Sequence, residues 1–462
     1  MNAQPNPLRF AGEARATAWL AGPLVAGHLA TGLIGFVDAV IAGHHNTLTL
    51  AAVAVGAALW ALPMMLPMGM LMSLPPAVSQ LDGAGHRDRI GPLFRQALWL
   101  AAVLGLLMFA FLSVAVLALG PMGIAADVRP GASDFLHGIR WGAPALTLYL
   151  AMRYLSDGLH WTLPTMVLGF GGLLMLVPLG LALTFGFNGL PGHPIPELGA
   201  GGLGIASAVM LWAQMLAFAT YLACSRRFAT LGLFARFEWP QRAPIAGLLR
   251  TGLPIGVTVT MEGGLFIVTA LLIGRLGAVP VAAHQIALNV AALCFMVPFG
   301  LAEATTVRVG HALGRGDVAA IRRAAFAGYA LALGTQCTSA LLLLAGHQWV
   351  VSLYTGDAAV AVLASTLLLY AAAFQLPDGI QVVSAGALRG LGDTRVPMFL
   401  AALAYWGIGM PLGAGLGLAL GWGPQGMWMG LIAGLTVAAW LLGARFLRTS
   451  RRMTSGAVTT GS

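Results

Sequence analysis

The sequence predicts an all-α integral membrane protein, with twelve transmembrane helices arranged as two parallel six-helix repeats. Three observations carry that prediction. The 462-residue chain is 58% apolar and only 8% charged, with a mean hydropathy of +0.85, whereas a soluble domain carries roughly 25% charged residues. Polar breaks divide it into twelve apolar runs, each of about the 20 residues that a crossing helix needs. The chain also matches itself at a nearly constant shift. Disorder is excluded by the high apolar content, and a membrane span that is not a barrel must be helical to satisfy its own backbone.

Taken in order, the runs lie at 16–41, ending ahead of His44 and His45, at 51–79, which is rich in Met, and at 93–119, entered after Arg87 and Arg89. The fourth, at 138–158, carries Arg153 and Asp157, the fifth starts at Pro164 and runs over 164–187, and the sixth, 202–224, stops at an Arg-rich stretch. The second six lie at 251–273, 281–305, 325–345, 358–386, 398–420 and 427–447. The organisation expected is a six-helix lobe over 1–224, an Arg-rich linker over 225–250, a second six-helix lobe over 251–447 and a polar tail over 448–462.

All 24 basic residues are arginine, and their placement sets topology, because positive residues concentrate on the cytoplasmic side. With the N-terminus inside, the inner segments hold Arg9, Arg15, Arg87, Arg89, Arg95, Arg226, Arg227, Arg236, Arg242, Arg250, Arg308, Arg315, Arg322, Arg323, Arg389, Arg395, Arg445, Arg448, Arg451 and Arg452. The outer loops hold only Arg129, Arg140 and Arg275. Both termini are therefore expected in the cytoplasm. The net charge of +9 reads as topology rather than as nucleic-acid binding. Cys224, Cys294 and Cys337 lie far apart and form no metal or disulfide framework.

The self-match has a shift of 231 residues: Pro23 with Pro254, Gly43 with Gly274, Ala51-Ala52 with Ala282-Ala283, Pro67-Met68-Gly69 with Pro298-Phe299-Gly300, and Gly85 with Gly316. It then slips to 233, pairing Pro144 with Pro377 and Pro164 with Pro397. Matches of Gly and Pro have backbone meaning, since they fix kinks and close approaches. Parallel repeats of this kind are a transporter plan, with substrate bound between the repeats near the midplane.

Ionisable groups at membrane depth cost about 2.5–3.5 kcal/mol on insertion scales, which makes each one a functional hypothesis. Glu262 sits midway along the seventh run in TVTMEGGLFIV, with no basic residue within ten positions. A buried carboxylate without a counter-ion must be neutralised by a proton or hold a cation. Asp378 follows Pro377 in AAAFQLPDGIQVV, where the proline frees a carbonyl one turn earlier. Oxygen ligands suit hard cations, so Glu262 and Asp378 form a metal site if the coupling ion is Na⁺. Asp38, in IGFVDAVIAG, has Thr269 as its repeat equivalent, so the halves differ chemically.

Blander readings compete at other positions. Glu303 is placed to pair with Arg308, and Asp157 to make an i, i+4 pair with Arg153. His284, Gln285 and Asn289 on the eighth helix form either a polar network or helix–helix glue. Phe374, one turn before Asp378, offers a π face to an organic cation or simply packs. Gly199-Ala-Gly-Gly-Leu-Gly204 has the spacing of a dinucleotide fingerprint but follows no strand, and with no lysine there is no ATP-binding P-loop.

The stretches IGFVDAVIAG, AAHQIALN, TTVRVGHALGRGD and SAGALRGLGDTRVP resemble the multidrug and toxic compound extrusion (MATE) family in its bacterial NorM branch, over essentially the whole chain. The resemblance implies a twelve-helix, two-lobed antiporter that exports amphipathic, mostly cationic drugs in exchange for Na⁺ or H⁺, with no other cofactor. It also implies that acids matching Glu262 and Asp378 serve the C-terminal lobe and that one matching Asp38 serves the N-terminal lobe. The expected partners are small organic cations and membrane lipid, with no nucleic acid and no obligate protein partner. This chain departs from the family in having Phe374 where a Tyr is frequent, and Leu176 and Gly180 where two asparagines often stand near the N-lobe acid. Two alternatives are a lipid-precursor flippase, which would need a basic cavity, and a membrane-embedded enzyme, which would need clustered catalytic groups.

Overall fold

The computed structural model describes residues 10–186 and 196–459, and every regular element among them is helical. The first three helices are α1 (Phe10–His45), α2 (Thr47–Leu71) and α3 (Leu74–Gly83). Asn46 caps α2 by accepting the Thr49 N–H at 2.7 Å. The expected run 51–79 is broken between α2 and α3 because Pro75 and Pro76 cannot donate to the Leu71 and Met72 carbonyls. The Ser73 hydroxyl instead donates to Met70 O at 2.8 Å.

Next come α4 (Ile90–Ala118), α5 (Arg129–Ile139), α6 (Gly142–Gly158), α7 (Leu163–Phe185) and α8 (Gly199–Cys224). The fourth expected run is thus two helices. Pro144 has no N–H for the Arg140 carbonyl, which takes the Ala143 N–H at 3.1 Å, and the helix is interrupted at that turn. Only 17 residues long, α6 is buried throughout from Tyr149 to Gly158. Among the described residues, eleven helical stretches other than α6 are long and apolar enough to cross a membrane, α2 with α3 and the stretch Arg395–Ala419 each counting as one.

The remaining helices are α9 (Arg242–Gly274), α10 (Ala278–Gly314), α11 (Val318–Ser352), α12 (Ala358–Gly390), α13 (Arg395–Ala402), α14 (Met410–Ala414) and α15 (Gly423–Thr459). Wider π turns flank α14, at Leu403–Gly409 and Gly415–Ala419. Pro411 cannot donate, and the Met410 N–H reaches back to Tyr405 O in an i→i−5 bond. This stretch meets α15 through a ladder of glycines. A Cβ on Gly409 would lie 3.1 Å from Gly434 Cα, one on Gly430 2.3 Å from Gly413 Cα, and one on Gly426 2.5 Å from Gly417 N. Small residues every fourth position on both strands of the contact let the backbones touch, which is how helices associate in lipid.

The chain divides into two compact units, one comprising residues 1–25, 79–85 and 257–462, the other 26–78 and 86–256. The division does not follow the sequence halves, because α1 and α9 each pass from one unit into the other. In the first unit the start of α1 packs Leu20, Ala21 and Leu24 with Leu301, Val307, Val382 and Val383, and Val25 meets Gly300. In the second unit the start of α9 packs on α2, with Gly256 against Gly69. At the repeat shift of 231 these are the same contact, since Val25 corresponds to Gly256 and Gly69 to Gly300. The linker expected over 225–250 folds into the second unit, anchored by the buried Phe228, Leu231 and Leu233.

Candidate functional site

The polar centre of the C-terminal unit is built on α12. Pro377 leaves the Ala373 carbonyl without its helical donor, and the helix buries Gln375, Asp378, Gln381 and Ser384, all 2% exposed or less. Asp378 lies in the electrostatic field of Glu262 from α9, which is half-buried. Neither carboxyl makes a hydrogen bond or ion pair among the described residues. Arg389, at the C-terminal end of α12, acts electrostatically on Glu262. In space, then, Glu262 is less isolated from positive charge than its sequence surroundings suggest.

Tyr405, Gln381, Gln336 and Gln375 complete the centre without having been singled out in the sequence. Tyr405, held by the π turn after α13, is fully buried and lies in the field of both Glu262 and Asp378. Its hydroxyl accepts the Gln381 amide Nε2–H at 2.5 Å. From α11, Gln336 Nε2 donates to Gln375 Oε1 at 2.8 Å and to Gln375 O at 3.1 Å. A Cβ on Gly379 would come within 2.7 Å of Gln336 Cγ, so glycine beside Asp378 admits that side chain. Gln336 Oε1 and Gln381 Oε1 are buried without a hydrogen-bond partner. Carboxyl, amide and phenol oxygens are the ligand type that a hard cation takes. Among the described residues no group of three or more His, Cys, Asp or Glu forms a metal cluster.

The aromatic and amide candidates lie in different surroundings. Phe374 is only 4% exposed and packs edge-on against Phe266 at 6.1 Å and Trp428 at 5.9 Å, so it is a core residue here. His284 separates from Gln285 and Asn289, because successive helical residues point about 100° apart. Its Nδ1 accepts the Trp428 indole N–H at 3.2 Å, which puts the neutral ring's proton on Nε2, an atom buried without a hydrogen-bond partner. Gln285 Nε2 donates to Asn289 Oδ1 at 3.2 Å on the exposed face of α10.

In the other unit, Asp38 of α1 is 9% exposed and its Oδ1 has no hydrogen-bond partner. The neighbouring helix is α7, where Gly180 abuts Ile41 and Leu176 is fully buried, so that surface presents apolar groups rather than amides. Arg153 and Asp157 do form the expected pair, at 3.3 Å. The pair belongs to a buried network, with Thr165 donating to Asp157 at 2.9 Å and His28 Nε2 3.2 Å from Arg153. Arg308, expected beside Glu303, pairs with Glu13 of α1.

Comparison with known proteins gives one consistent answer. The MatE family model matches twice, over 23–181 and 254–414, so its starts are offset by 231 and its ends by 233, the two shifts of the self-match. A "Probable multidrug resistance protein NorM" from Xanthomonas campestris pv. campestris is 67% identical over 449 residues, 97% of each chain. The "Multidrug resistance protein PmpM" of Pseudomonas aeruginosa is 44% identical over 454 residues, 96% of this chain and 93% of that one. Among solved structures, the eukaryotic MATE transporter AtDTX14 superposes with a TM-score of 0.85 at 19% identity, covering 96% of this chain and 98% of that one. The Vibrio cholerae MATE transporter VcmN in its bent form gives 0.82 at 17% identity, covering 96% and 98%. At these identities the structures speak to the two-lobed fold.

Proposed function

As a member of the MatE family this chain is a multidrug efflux transporter of the bacterial inner membrane rather than an enzyme, and we propose that it works as an antiporter, exporting amphipathic organic cations in exchange for Na⁺ or H⁺. The observation that carries the coupling half of this reading is the Glu262–Asp378 pair. Two carboxyls in one another's field, with no hydrogen bond or ion pair among the described residues and only Arg389 acting on Glu262 from a distance, leave Asp378 to be balanced by a proton or a bound cation. A proton on either carboxyl, or Na⁺ held by Glu262, Asp378 and the amide oxygens of Gln336 and Gln381, does so.

In this reading the cation enters from the outer side, with both termini cytoplasmic, and neutralises the pair. Neutralisation favours the conformation that has released drug, and drug binding favours the other. Exchange needs only that both ligands bias the same two-state equilibrium in opposite directions. Asp38, whose neighbouring α7 surface is apolar, plays a lesser part. The buried Arg153 is already engaged by Asp157, which leaves little positive charge for the anionic headgroup that a flippase must carry.

The test is ethidium efflux from vesicles containing the pure protein, with Na⁺ jumped at fixed pH and then pH at fixed Na⁺. Efflux that follows one of the two identifies the coupling ion, and efflux indifferent to both overturns the antiport reading. Glu262→Gln is expected to abolish drug resistance at normal expression, and full resistance in a well-expressed variant would remove Glu262 from the site.

A further inference from the structure

The segment between α8 and α9 is more than a connection. Six hydrogen bonds fold it onto the first turns of α4: Arg95 Nη1 to Gly232 O at 2.6 Å and to Leu233 O at 3.4 Å, Arg95 Nη2 to Glu238 Oε1 at 2.8 Å, Gln96 Nε2 to Trp239 O at 3.1 Å, Trp99 Nε1 to Glu238 O at 2.9 Å, and the Gln241 N–H to Gln96 Oε1 at 2.7 Å. So fixed, it displays side chains that burial does not account for. Phe237 is 71% exposed, Trp239 74% and Phe234 46%. Phe237 stands edge-on between Trp99 at 5.9 Å and Trp239 at 5.2 Å.

Between this segment and α4 lies an open cavity of about 390 Å³, lined by Arg95, Trp99, Phe234, Arg236, Phe237 and Glu238 among others. Its charge is lopsided. Residues 225–250 hold five arginines and one acid, Glu238, and that carboxylate is shared by Arg95 at 2.8 Å and Arg236 at 2.7 Å. Two guanidiniums to one carboxylate leave the cavity net positive. Arg95 is itself 9% exposed, and its Nε, a donor, is buried without an acceptor. The level in the membrane is also defined, because Arg95 is the last charged residue of α4 before an uncharged run beginning at Gln96 and Ala97. Aromatic rings with arginines at that boundary meet lipid headgroups above and acyl chains below.

We propose that the folded linker and the start of α4 form a binding site for an anionic phospholipid of the adjacent leaflet, its phosphate facing Arg236 and Arg95 and its glycerol–acyl region lying over Trp99, Phe234 and Phe237. The occupant follows from the chemistry: an excess positive charge selects an anion, and the exposed rings require that the anion carry an apolar body. The site lies within one unit of the fold and does not depend on which ion drives export.

The experiment is native mass spectrometry of the delipidated full-length protein, titrated with phosphatidylglycerol and, separately, phosphatidylcholine. Preferential retention of phosphatidylglycerol is expected, reduced about five-fold in Arg236→Gln, the effect of one arginine near an anionic headgroup, and unaltered in Arg129→Gln at the start of α5. Because Arg236 also braces Glu238, a second variant, Phe237→Ser, keeps the charge and removes the ring, and it too should weaken retention. Equal retention of the two lipids, or undiminished phosphatidylglycerol binding in both variants, overturns the proposal. Displacement of the lipid by inorganic phosphate at matching concentration also overturns it, since the apolar contacts would then contribute nothing. Ethidium efflux measured alongside separates this outcome from failure of the antiport reading.

Discussion

Tyr405→Phe removes one oxygen from the polar centre, and its cost can be reasoned from the contacts. The phenol is fully buried and accepts Gln381 Nε2–H at 2.5 Å, while Gln381 Oε1 already lacks a partner. Without the hydroxyl, a buried amide is left with neither end satisfied, which costs about 1–3 kcal/mol. The phenol also lies in the field of Glu262 and Asp378, so the same loss should appear in cation coupling, where 1–3 kcal/mol corresponds to about 5–150-fold. The assay pairs thermal melting in detergent with the cation concentration that half-activates ethidium efflux. A double variant, Tyr405→Phe with Gln381→Leu, removes both partners, and such replacement by apolar groups is close to neutral for stability. It should melt near the parent temperature while its cation response stays shifted. A Tyr405→Phe protein with unchanged half-activation refutes the role assigned to the hydroxyl. If it also melts normally, the burial argument fails with it.

Three further outcomes follow from the fold. His160, at φ 59°, is the sole non-glycine residue with positive φ among those described, and Gly392, at φ 75°, ends α12 with the same bonds that end α6, its N–H on the Arg389 carbonyl as that of His160 is on the Asp157 carbonyl. Left-handed backbone costs an L-residue about 1–2 kcal/mol, so His160→Gly should raise the melting temperature, and a fall would show that the imidazole holds the turn. Gly430→Ala should destabilise by about 1–3 kcal/mol through overpacking against Gly413, whereas Gly415→Ala, with nothing within 4 Å of its Cβ position, should not; equal melting of the two removes the glycine ladder as a packing device. Glu238 is held below the ordinary carboxylate value of 4.5 chiefly by the hydrogen bond from Arg95, against burial and with help from Arg236. Its contribution is therefore full above that value and lost as acid carries the pH below it through the folded pKa. Limited proteolysis within 225–241 should accelerate there, and acceleration of the same size in Glu238→Gln would exclude this carboxyl as the cause.

The reach of sequence reasoning depended on the range of the interaction. Hydropathy is a property of consecutive residues, so the runs were visible, and the breaks missed at Pro75-Pro76 and Pro144 are local backbone events whose prolines stood in plain view. Glu262 and Asp378 were legible because a lone carboxyl in an apolar run is conspicuous. Tyr405 was not, because its direction is set by a π turn ahead of Pro411, and the 3.6-residue period fails there. Gln336 meets Gln375 across two helices 39 residues apart, a pairing that no spacing announces. Grouping His284 with Gln285 and Asn289 mistook adjacency along the chain for adjacency on a helix face. The glycine ladder could have been found, since Gly409, Gly413 and Gly417 face Gly434, Gly430 and Gly426 at a spacing of four.

The duplication evidently preserved scaffold more strictly than chemistry. The Val25–Gly300 and Gly256–Gly69 contacts repeat one approach of backbones, and the turns at His160 and Gly392 repeat one conformation even where the residue type does not suit it. The acids obey no such rule: at the shifts of 231 and 233, Glu262 corresponds to Thr31, Asp378 to Ala145 and Asp38 to Thr269. Backbone contacts constrain both copies because a Cβ on Gly69 would lie 2.6 Å from Gly256 Cα and one on Gly300 2.6 Å from Val25 Cγ2. A carboxyl at membrane depth is costly wherever it stands, so a second copy persists only where it contributes something. Two acids remain in one unit, among amide and phenol oxygens, and one in the other beside the apolar surface of Leu176 and Gly180. In the antiport reading proposed above, that division makes the unit holding Glu262 and Asp378 the seat of cation coupling.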